Sequence, residues 1–160
     1  MKECLDNIGV ENFLPLRYAI IDTAEGRKRK LVPAVSNLIF VHSTREKITQ
    51  LKMFKREFEP LRYMMRSSAS GYEVIVVPDA QMENFIRVAS VLDDSVFFLE
   101  MTDFLNQVGT RVLITEGPFA GVVGLVRRIQ KNKHVVVSIE GVASVAIAYV
   151  PVKCLMIVER

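Results

Sequence analysis

The chain has 160 residues, half of them hydrophobic, and a formal net charge of +3. This length suffices for one domain or two small ones with a buried core. No apolar run of about 18 residues occurs, so we expect neither a transmembrane helix nor, from the polar amino-terminal segment, a signal peptide. Cys4 and Cys154 match no metal-binding spacing. We therefore expect a cytoplasmic protein without a metal site or cofactor.

The positive charge is concentrated in the last third of the chain. Residues 109–160 contain seven Lys/Arg and three Asp/Glu, a net charge of +4, whereas residues 1–108 contain 14 and 15, a net charge of −1. A mildly basic carboxy-terminal part is compatible with contacts to nucleic acid.

The first predicted elements are a helix and a β-hairpin. Apolar residues at helical spacing, followed by Gly9, predict a helix that ends near that glycine. Residues 17–21 predict a strand, and the polar residues 22–30 predict the tip of a hairpin. This tip contains four consecutive cations: Arg27, Lys28, Arg29 and Lys30. They form either a solvated loop or a phosphate contact, because clustered cations neutralise backbone charge and release counterions.

The next predicted elements are an apolar strand at residues 35–41 and two helices. Ser43 and Glu46 have the spacing of a capping box, and the helix that they begin runs to about Phe58, ahead of Pro60. Its predicted core face consists of Ile48, Leu51, Phe54 and Phe58. A second helix begins at residues 78–79 and ends at residues 93–94, with an apolar stripe of Met82, Phe85, Ile86, Ala89 and Leu92.

Residues 96–99 are compatible with a short strand, and residues 109–149 predict a small barrel. Gly117 and Pro118 predict a tight turn, and Gly121 and Gly124 permit a sharp bend where a branched residue would be strained. Apolar residues alternate over residues 111–114, 135–139 and 145–149. Period-2 alternation between short turns is typical of a small closed barrel.

This glycine pattern resembles the KOW motif of NusG-type transcription factors and some ribosomal proteins. Upstream, NFLPL, GRKRK, PAVSNLIFVHSTRE and VPDAQMENFIRV resemble the NusG N-terminal domain, most closely that of the UpxY-type branch, whose members act on long surface-polysaccharide operons. The resemblance implies an α+β NGN-type sheet sandwich at residues 1–100, a linker at residues 101–107 and an all-β SH3-like KOW barrel at residues 108–160.

One feature of the family pattern is missing from this chain. The family's N-terminal domain begins with a strand containing a Trp-Tyr pair, whereas this chain begins within the helix that follows and contains no Trp. That strand is internal to the family's sheet, so its loss exposes unpaired backbone groups. We therefore expect a loosened first domain, or a strand-exchanged dimer that fills the gap.

The resemblance implies that the first domain binds the clamp helices of RNA polymerase and keeps the polymerase processive. The family's strand motif carries the docking surface, and the matching positions here are Leu38 and Phe40. Apolar anchors in a desolvated pocket are typical of interface hot spots. The alternative is that both residues belong to the core. Two residues apart in a strand, they would share one face, so one interpretation would apply to both.

In general NusG, a barrel loop with the sequence Ser-Ile-Phe-Gly binds a termination factor or a ribosomal protein. The matching residues here are Ser138, Ile139, Glu140 and Gly141. Burying an unpaired carboxylate where a phenylalanine docks is costly, so we expect no binding to the termination factor in the general manner. That loss fits an antiterminator. Phe119 in the preceding glycine-rich loop either plugs one end of the barrel or is exposed.

Four further cations surround a predicted turn at residues 131–133: Arg127, Arg128, Lys131 and Lys133. They either keep the barrel soluble or bind nucleic acid. His42 and His134 are isolated, and no nucleophile elbow, P-loop or zinc motif occurs, so we expect no enzymatic activity. The leading hypothesis is a polymerase-bound elongation and antitermination factor for specific long operons. The alternatives are an RNA- or ribosome-binding KOW module without polymerase docking, or a non-functional fragment.

Overall fold

The computed structural model describes residues 1–99 and 109–159, which form an α+β fold with three α-helices and antiparallel sheets. The chain divides into two compact units. Unit 1 comprises Met1–Pro15 and Ser36–Val76, and unit 2 comprises Leu16–Val35 and Val77–Arg160. The predicted linker at residues 101–107 lies outside the described residues.

Three α-helices and twelve β-strands lie within the described residues. In chain order they are α1 (Lys2–Asn7), β1 (Asn12–Phe13), β2 (Leu16–Thr23), β3 (Gly26–Pro33), β4 (Phe40–Val41), α2 (Arg45–Phe54), β5 (Met65–Ser68), β6 (Gly71–Val74), α3 (Asp79–Ala89), β7 (Val96–Phe98), β8 (Thr110–Ile114), β9 (Val123–Ile129), β10 (Asn132–Ile139), β11 (Ala143–Ile147) and β12 (Leu155–Glu159). Two 3-10 turns, Arg56–Phe58 and Val152–Cys154, follow α2 and precede β12.

Unit 1 is built around a small apolar cluster. Leu5 of α1 and Phe58 are fully buried beside Val10, and the half-buried residues around them are Cys4, Ile8, Ile39, Val41, Leu51 and Leu61. The predicted end of α1 is confirmed, because Gly9 has a φ of +65° and its N–H donates to the Asp6 carbonyl at 3.0 Å.

The predicted start and core face of α2 were partly wrong. The cap is Thr44, whose Oγ1 accepts from the Lys47 N–H at 3.2 Å, in place of Ser43. The helix ends at Phe54, which is 80% exposed. Six residues rotate a helix by about 600°, so Phe54 lies about 120° away from the direction of the buried Ile48.

The predicted strand at residues 35–41 is reduced to Phe40–Val41 in β4. Asn37 has a φ of +58°, which interrupts the extended backbone before the strand. β4 pairs with β1, with Phe13 opposite Phe40 and Asn12 opposite Val41. Residue 38 lies outside β4, so the prediction that Leu38 and Phe40 share one strand face fails.

The hairpin predicted around residues 22–30 is present, but its tip is shorter than predicted. β2 and β3 pair over eight residues each, and the connection consists of residues 24–25. All four consecutive cations therefore lie in strand β3 and not in a loop. In a strand, side chains alternate between two faces, so the cations are divided between the two faces of the hairpin.

The last five strands and β7 form a six-stranded sheet with β12 and β7 at its edges. β8 to β11 are consecutive antiparallel neighbours, β12 returns to pair with β8, and β7 pairs with the outer edge of β11. Gly124 is required on β9, because a Cβ there would lie 2.7 Å from Val135 Cγ1 and 2.8 Å from the Val136 carbonyl oxygen. The predicted strands of this region are confirmed, including the short one at residues 96–99.

Helix α3 packs on β10 and β11 of this sheet and belongs to unit 2. This division of the chain differs from the predicted boundary near residue 100. Phe85, Val88 and Ala89 are buried. Because α3 covers the sheet, β11 is buried on both faces, and the alternation predicted for residues 145–149 is absent. Tyr149 lies outside β11 and is exposed.

Candidate functional site

We call the β2–β3 hairpin the ribbon, and one of its two faces combines cations with exposed apolar and aromatic side chains. Cross-strand neighbours on this face are Tyr18 with Leu31, Ile20 with Arg29, and Asp22 with Arg27. Tyr18, Ile20 and Leu31 are 41%, 74% and 45% exposed. Sequence reasoning singled out the cations but missed these three residues. Residues 18–21 form a continuous apolar run, so no alternation in the sequence marks which of them are exposed.

Three of the four ribbon cations have partners within the ribbon. Arg29 lies over the Tyr18 ring, 4.1 Å from its centroid. Arg27 Nε lies 3.2 Å from Asp22 Oδ1, and Lys28 pairs with Glu25. These ion pairs are solvent-exposed and contribute little stability, so the cations remain available to exchange a carboxylate for a phosphate. A guanidinium stacked on an aromatic ring, beside exposed apolar side chains, is typical of a platform for nucleic-acid bases.

The two residues predicted to bind polymerase differ in their exposure. Leu38 is 8% exposed and is buried, as its core alternative predicted. Phe40 is half-buried and stacks on Phe13, with ring centroids 6.5 Å apart. Its neighbours Ile39 and Val41 pack on the core of unit 1. Adjacent strand residues point to opposite faces, so Phe40 lies on the side of β4 that faces away from this core.

Strand β1, which supplies Phe13, is fixed to α1 by polar contacts. Asn12 Nδ2 donates to Asp6 Oδ1 at 2.7 Å, and Lys2 Nζ lies 3.0 Å from Asp6 Oδ2. The hydrogen bond from Asn12, followed by that from Lys2, lowers the pKa of Asp6 below its ordinary value. The carboxylate therefore remains ionised at neutral pH and holds the start of unit 1 against β1.

The four cations predicted around a turn at residues 131–133 lie in the β9–β10 hairpin. The turn consists of Gln130 and Lys131, both with positive φ, and lies one residue earlier than predicted. Arg128 lies directly opposite Lys133, and Arg128 Nε donates to the Lys131 carbonyl at 3.2 Å. Like charges directly opposite in a sheet are destabilising, and a bound anion would relieve their repulsion. Arg127 is half-buried and faces His134.

In the predicted partner loop, only Glu140 has an exposed side chain. Phe119 is 8% exposed and Ile139 is 2% exposed, so both belong to the core. For Phe119 this burial excludes the alternative of an exposed loop residue. The loop is a tight turn in which the Val142 N–H donates to the Ile139 carbonyl at 3.0 Å and Gly141 has a φ of +70°. The turn presents a carboxylate to solvent.

The groove between α3 and the sheet has a volume of about 1020 Å³ and was not anticipated from the sequence. Asn84 makes two hydrogen bonds across it to the Val123 backbone, one of them from the Val123 N–H to Oδ1 at 3.0 Å. Gln81 Nε2 donates to the Ser138 carbonyl at 3.0 Å. The two side-chain amides hydrogen-bond to backbone groups of the sheet, and these bonds attach the helix to the sheet.

Within residues 1–99 and 109–159, no cluster of three or more His, Cys, Asp or Glu side chains could hold a metal ion. None of the helices in the same ranges is long and apolar enough to span a membrane. The chain matches no protein-family model, no curated protein and no solved structure.

Proposed function

We propose that the protein is a NusG-like elongation and antitermination factor of the UpxY type, which binds RNA polymerase and promotes processive transcription of specific long operons. The observation that supports this proposal most directly is the position of Phe40. It pairs with Phe13 on the side of β4 opposite to the core residues Ile39 and Val41. The resemblance assigns polymerase docking to this position, and a half-buried aromatic side chain stacked on a second ring suits an interface anchor.

Of the two residues that the sequence predicts to bind polymerase, we retain Phe40 and not Leu38. Leu38 is buried and contributes to packing, whereas Phe40 and Phe13 are half-buried and stack on each other. Phe13 belongs to the NFLPL motif and Phe40 to the PAVSNLIFVHSTRE motif, so both rings come from segments that resemble the family.

Glu140 supports the antitermination part of the proposal. It is exposed at the tip of the turn where general NusG has a phenylalanine that anchors its partner. A partner that buries this position would have to desolvate a carboxylate. We expect the barrel to bind the termination factor more weakly than general NusG does, and equal affinities in a pull-down would contradict this part.

A binding assay with a purified clamp-helix fragment of RNA polymerase tests the docking. Phe40→Ala should weaken binding at least about tenfold, as expected for a hot-spot residue. Phe54→Ala is the matched control, because Phe54 lies in the same unit and is 80% exposed. Phe40→Leu keeps an apolar side chain at this position and is the control for unfolding, because it preserves most of the packing that Phe40→Ala removes. Equal affinities of Phe40→Ala and Phe54→Ala would contradict the proposal.

The second candidate function is an RNA-binding module without polymerase docking. It is favoured by the exposed ribbon face, where Arg29 stacks on Tyr18, and by the opposed cations of the β9–β10 hairpin. The two functions differ in their dependence on Phe40. RNA binding by the ribbon should be unaffected by Phe40→Ala, whereas polymerase binding should be lost.

A further inference from the structure

The ribbon has an edge without a strand partner. Within the described residues, β2 pairs with β3 along its whole length, and the two strands form a sheet of their own. A two-stranded sheet is marginally stable in water, and stability normally requires a third strand or a covering helix. The outer edge of a strand also presents unpaired N–H and C=O groups that favour pairing with another strand.

The two outer edges of the ribbon differ in charge. β3 contains four consecutive cations, residues 27–30, and cations on an edge strand oppose pairing with another chain. β2 has an uncharged centre, Ala19, Ile20 and Ile21, with one charge of each sign toward its ends, Arg17 and Asp22. The β2 edge is therefore the one that can accept a strand.

We propose that a second copy of this chain pairs with the β2 edge, antiparallel and with the two-fold axis at Ile20. In this register Ile20 faces its own counterpart, Ala19 faces Ile21 of the second copy, and Arg17 faces Thr23. Tyr18 faces Asp22 of the second copy, and its hydroxyl can donate to that carboxylate. Like charges never oppose each other, and a small side chain lies beside a large one, which is favourable for cross-strand pairs.

The pairing explains the exposure of Ile20, which is 74% exposed in the single chain. At the two-fold axis, two such side chains cover each other. The product is a four-stranded antiparallel sheet in the order β3, β2, β2, β3. Such a sheet is more stable than the two-stranded ribbon alone. A two-fold axis perpendicular to the sheet keeps equivalent faces on the same side, so the Tyr18 and Arg29 surfaces of both copies would lie side by side.

Sedimentation velocity over a concentration series tests the dimer and requires neither polymerase nor nucleic acid, so its outcome is independent of the proposed function. The unmodified chain should form a dimer. Ile20→Lys places two lysines directly opposite each other and should raise the dimer dissociation constant by on the order of tenfold or more. Ile157→Lys is the matched control, because Ile157 lies on the edge strand β12 and is 57% exposed. This control should leave the dissociation constant unchanged.

Cross-linking provides a second measurement that does not depend on destabilisation by lysine. Under mild oxidation, Ile20→Cys should give a disulfide-linked dimer, whereas Ile157→Cys should not. The proposal is overturned by a chain that stays monomeric at every concentration, or by a dimer that tolerates Ile20→Lys. It is also overturned by a dimer that Ile157→Lys abolishes, since that result would place the interface at β12.

Discussion

Strands β3 and β10 have the same length and the same antiparallel type of pairing, but their surroundings differ. Both contain eight residues. β10 has a strand on each side and α3 packed against it, and Val135, Val136 and Val137 are all buried. β3 has one partner, and seven of its eight residues are exposed. The buried sheet therefore stabilises unit 2, whereas the ribbon exposes side chains that a partner could contact.

The largest expected effect comes from removing the helix side chain that the sheet buries. Phe85 is fully buried and meets Phe98 edge-on at 6.5 Å. Phe85→Ala should lower the free energy of unfolding by about 3–5 kcal/mol, because it loses transfer energy and leaves a cavity. Urea denaturation measures this. The ribbon counterpart Ile20→Ala should stay within about 0.5 kcal/mol in dilute solution, and equal losses would erase the contrast between the two regions.

A smaller loss is expected from the amide that links α3 to the sheet. Asn84→Ala removes both hydrogen bonds to the Val123 backbone and should cost about 1–3 kcal/mol, since partly buried backbone groups lose their partner. Glu83→Ala on the exposed side of the same helix is the control. A shift in the thermal midpoint for Asn84→Ala no larger than that for Glu83→Ala would show that the helix is held by apolar packing alone.

Substitutions in the ribbon should change the affinity for RNA and leave the free energy of unfolding nearly unchanged. Arg29→Ala removes the guanidinium above Tyr18 and should weaken binding to single-stranded RNA several-fold, with the salt slope reduced by about 1. Fluorescence anisotropy at several salt concentrations measures both quantities. Lys55→Ala, an exposed cation of unit 1, removes the same charge elsewhere. If both variants lose affinity equally, net charge and not the ribbon governs binding.

The smallest expected effect concerns the turn that leads into β7. The Ser95 hydroxyl and, at 2.8 Å, the Ser95 N–H donate to Asp93 Oδ1 and lower the pKa of Asp93 below its ordinary value. A lowered folded-state pKa contributes stability that is present above about pH 4 and is lost as the pH falls through the folded pKa. Asp93→Asn lacks this dependence.

Urea midpoints of the unmodified chain and Asp93→Asn at neutral and acidic pH provide the test. The advantage of the unmodified chain should shrink on acidification. A constant difference between the two proteins would show that the carboxylate does not titrate in this range.

Local patterns were sufficient to predict much of the sheet. Gly117 and Gly121 both have a φ of +87°, as a glycine-rich turn between period-2 strands requires. The place of α3 could not be predicted, because its apolar stripe specifies that one face is buried but not which sheet buries it. The same uncertainty explains why both faces of β11 are buried although its sequence was expected to alternate.

The candidate sites were less predictable than the sheet. The cations of residues 27–30 were found from composition. Their division between two faces follows from the two-residue turn at residues 24–25, which places all four in strand β3. The polar run at residues 22–30 does not show where this turn lies. Leu38 and Phe40 have similar chemistry in an apolar run. The positive φ of Asn37 separates their environments, and nothing in the apolar pattern marks that residue as an interruption.

The most direct test of the central claim is single-round transcription by RNA polymerase on a long template with an internal terminator. We expect the chain to increase the fraction of full-length RNA, Phe40→Ala to abolish the increase and Phe54→Ala to retain it. If the chain leaves the fraction of full-length RNA unchanged, it is not an antitermination factor. If the unmodified chain and Phe40→Ala then bind RNA equally well, the RNA-binding module is favoured.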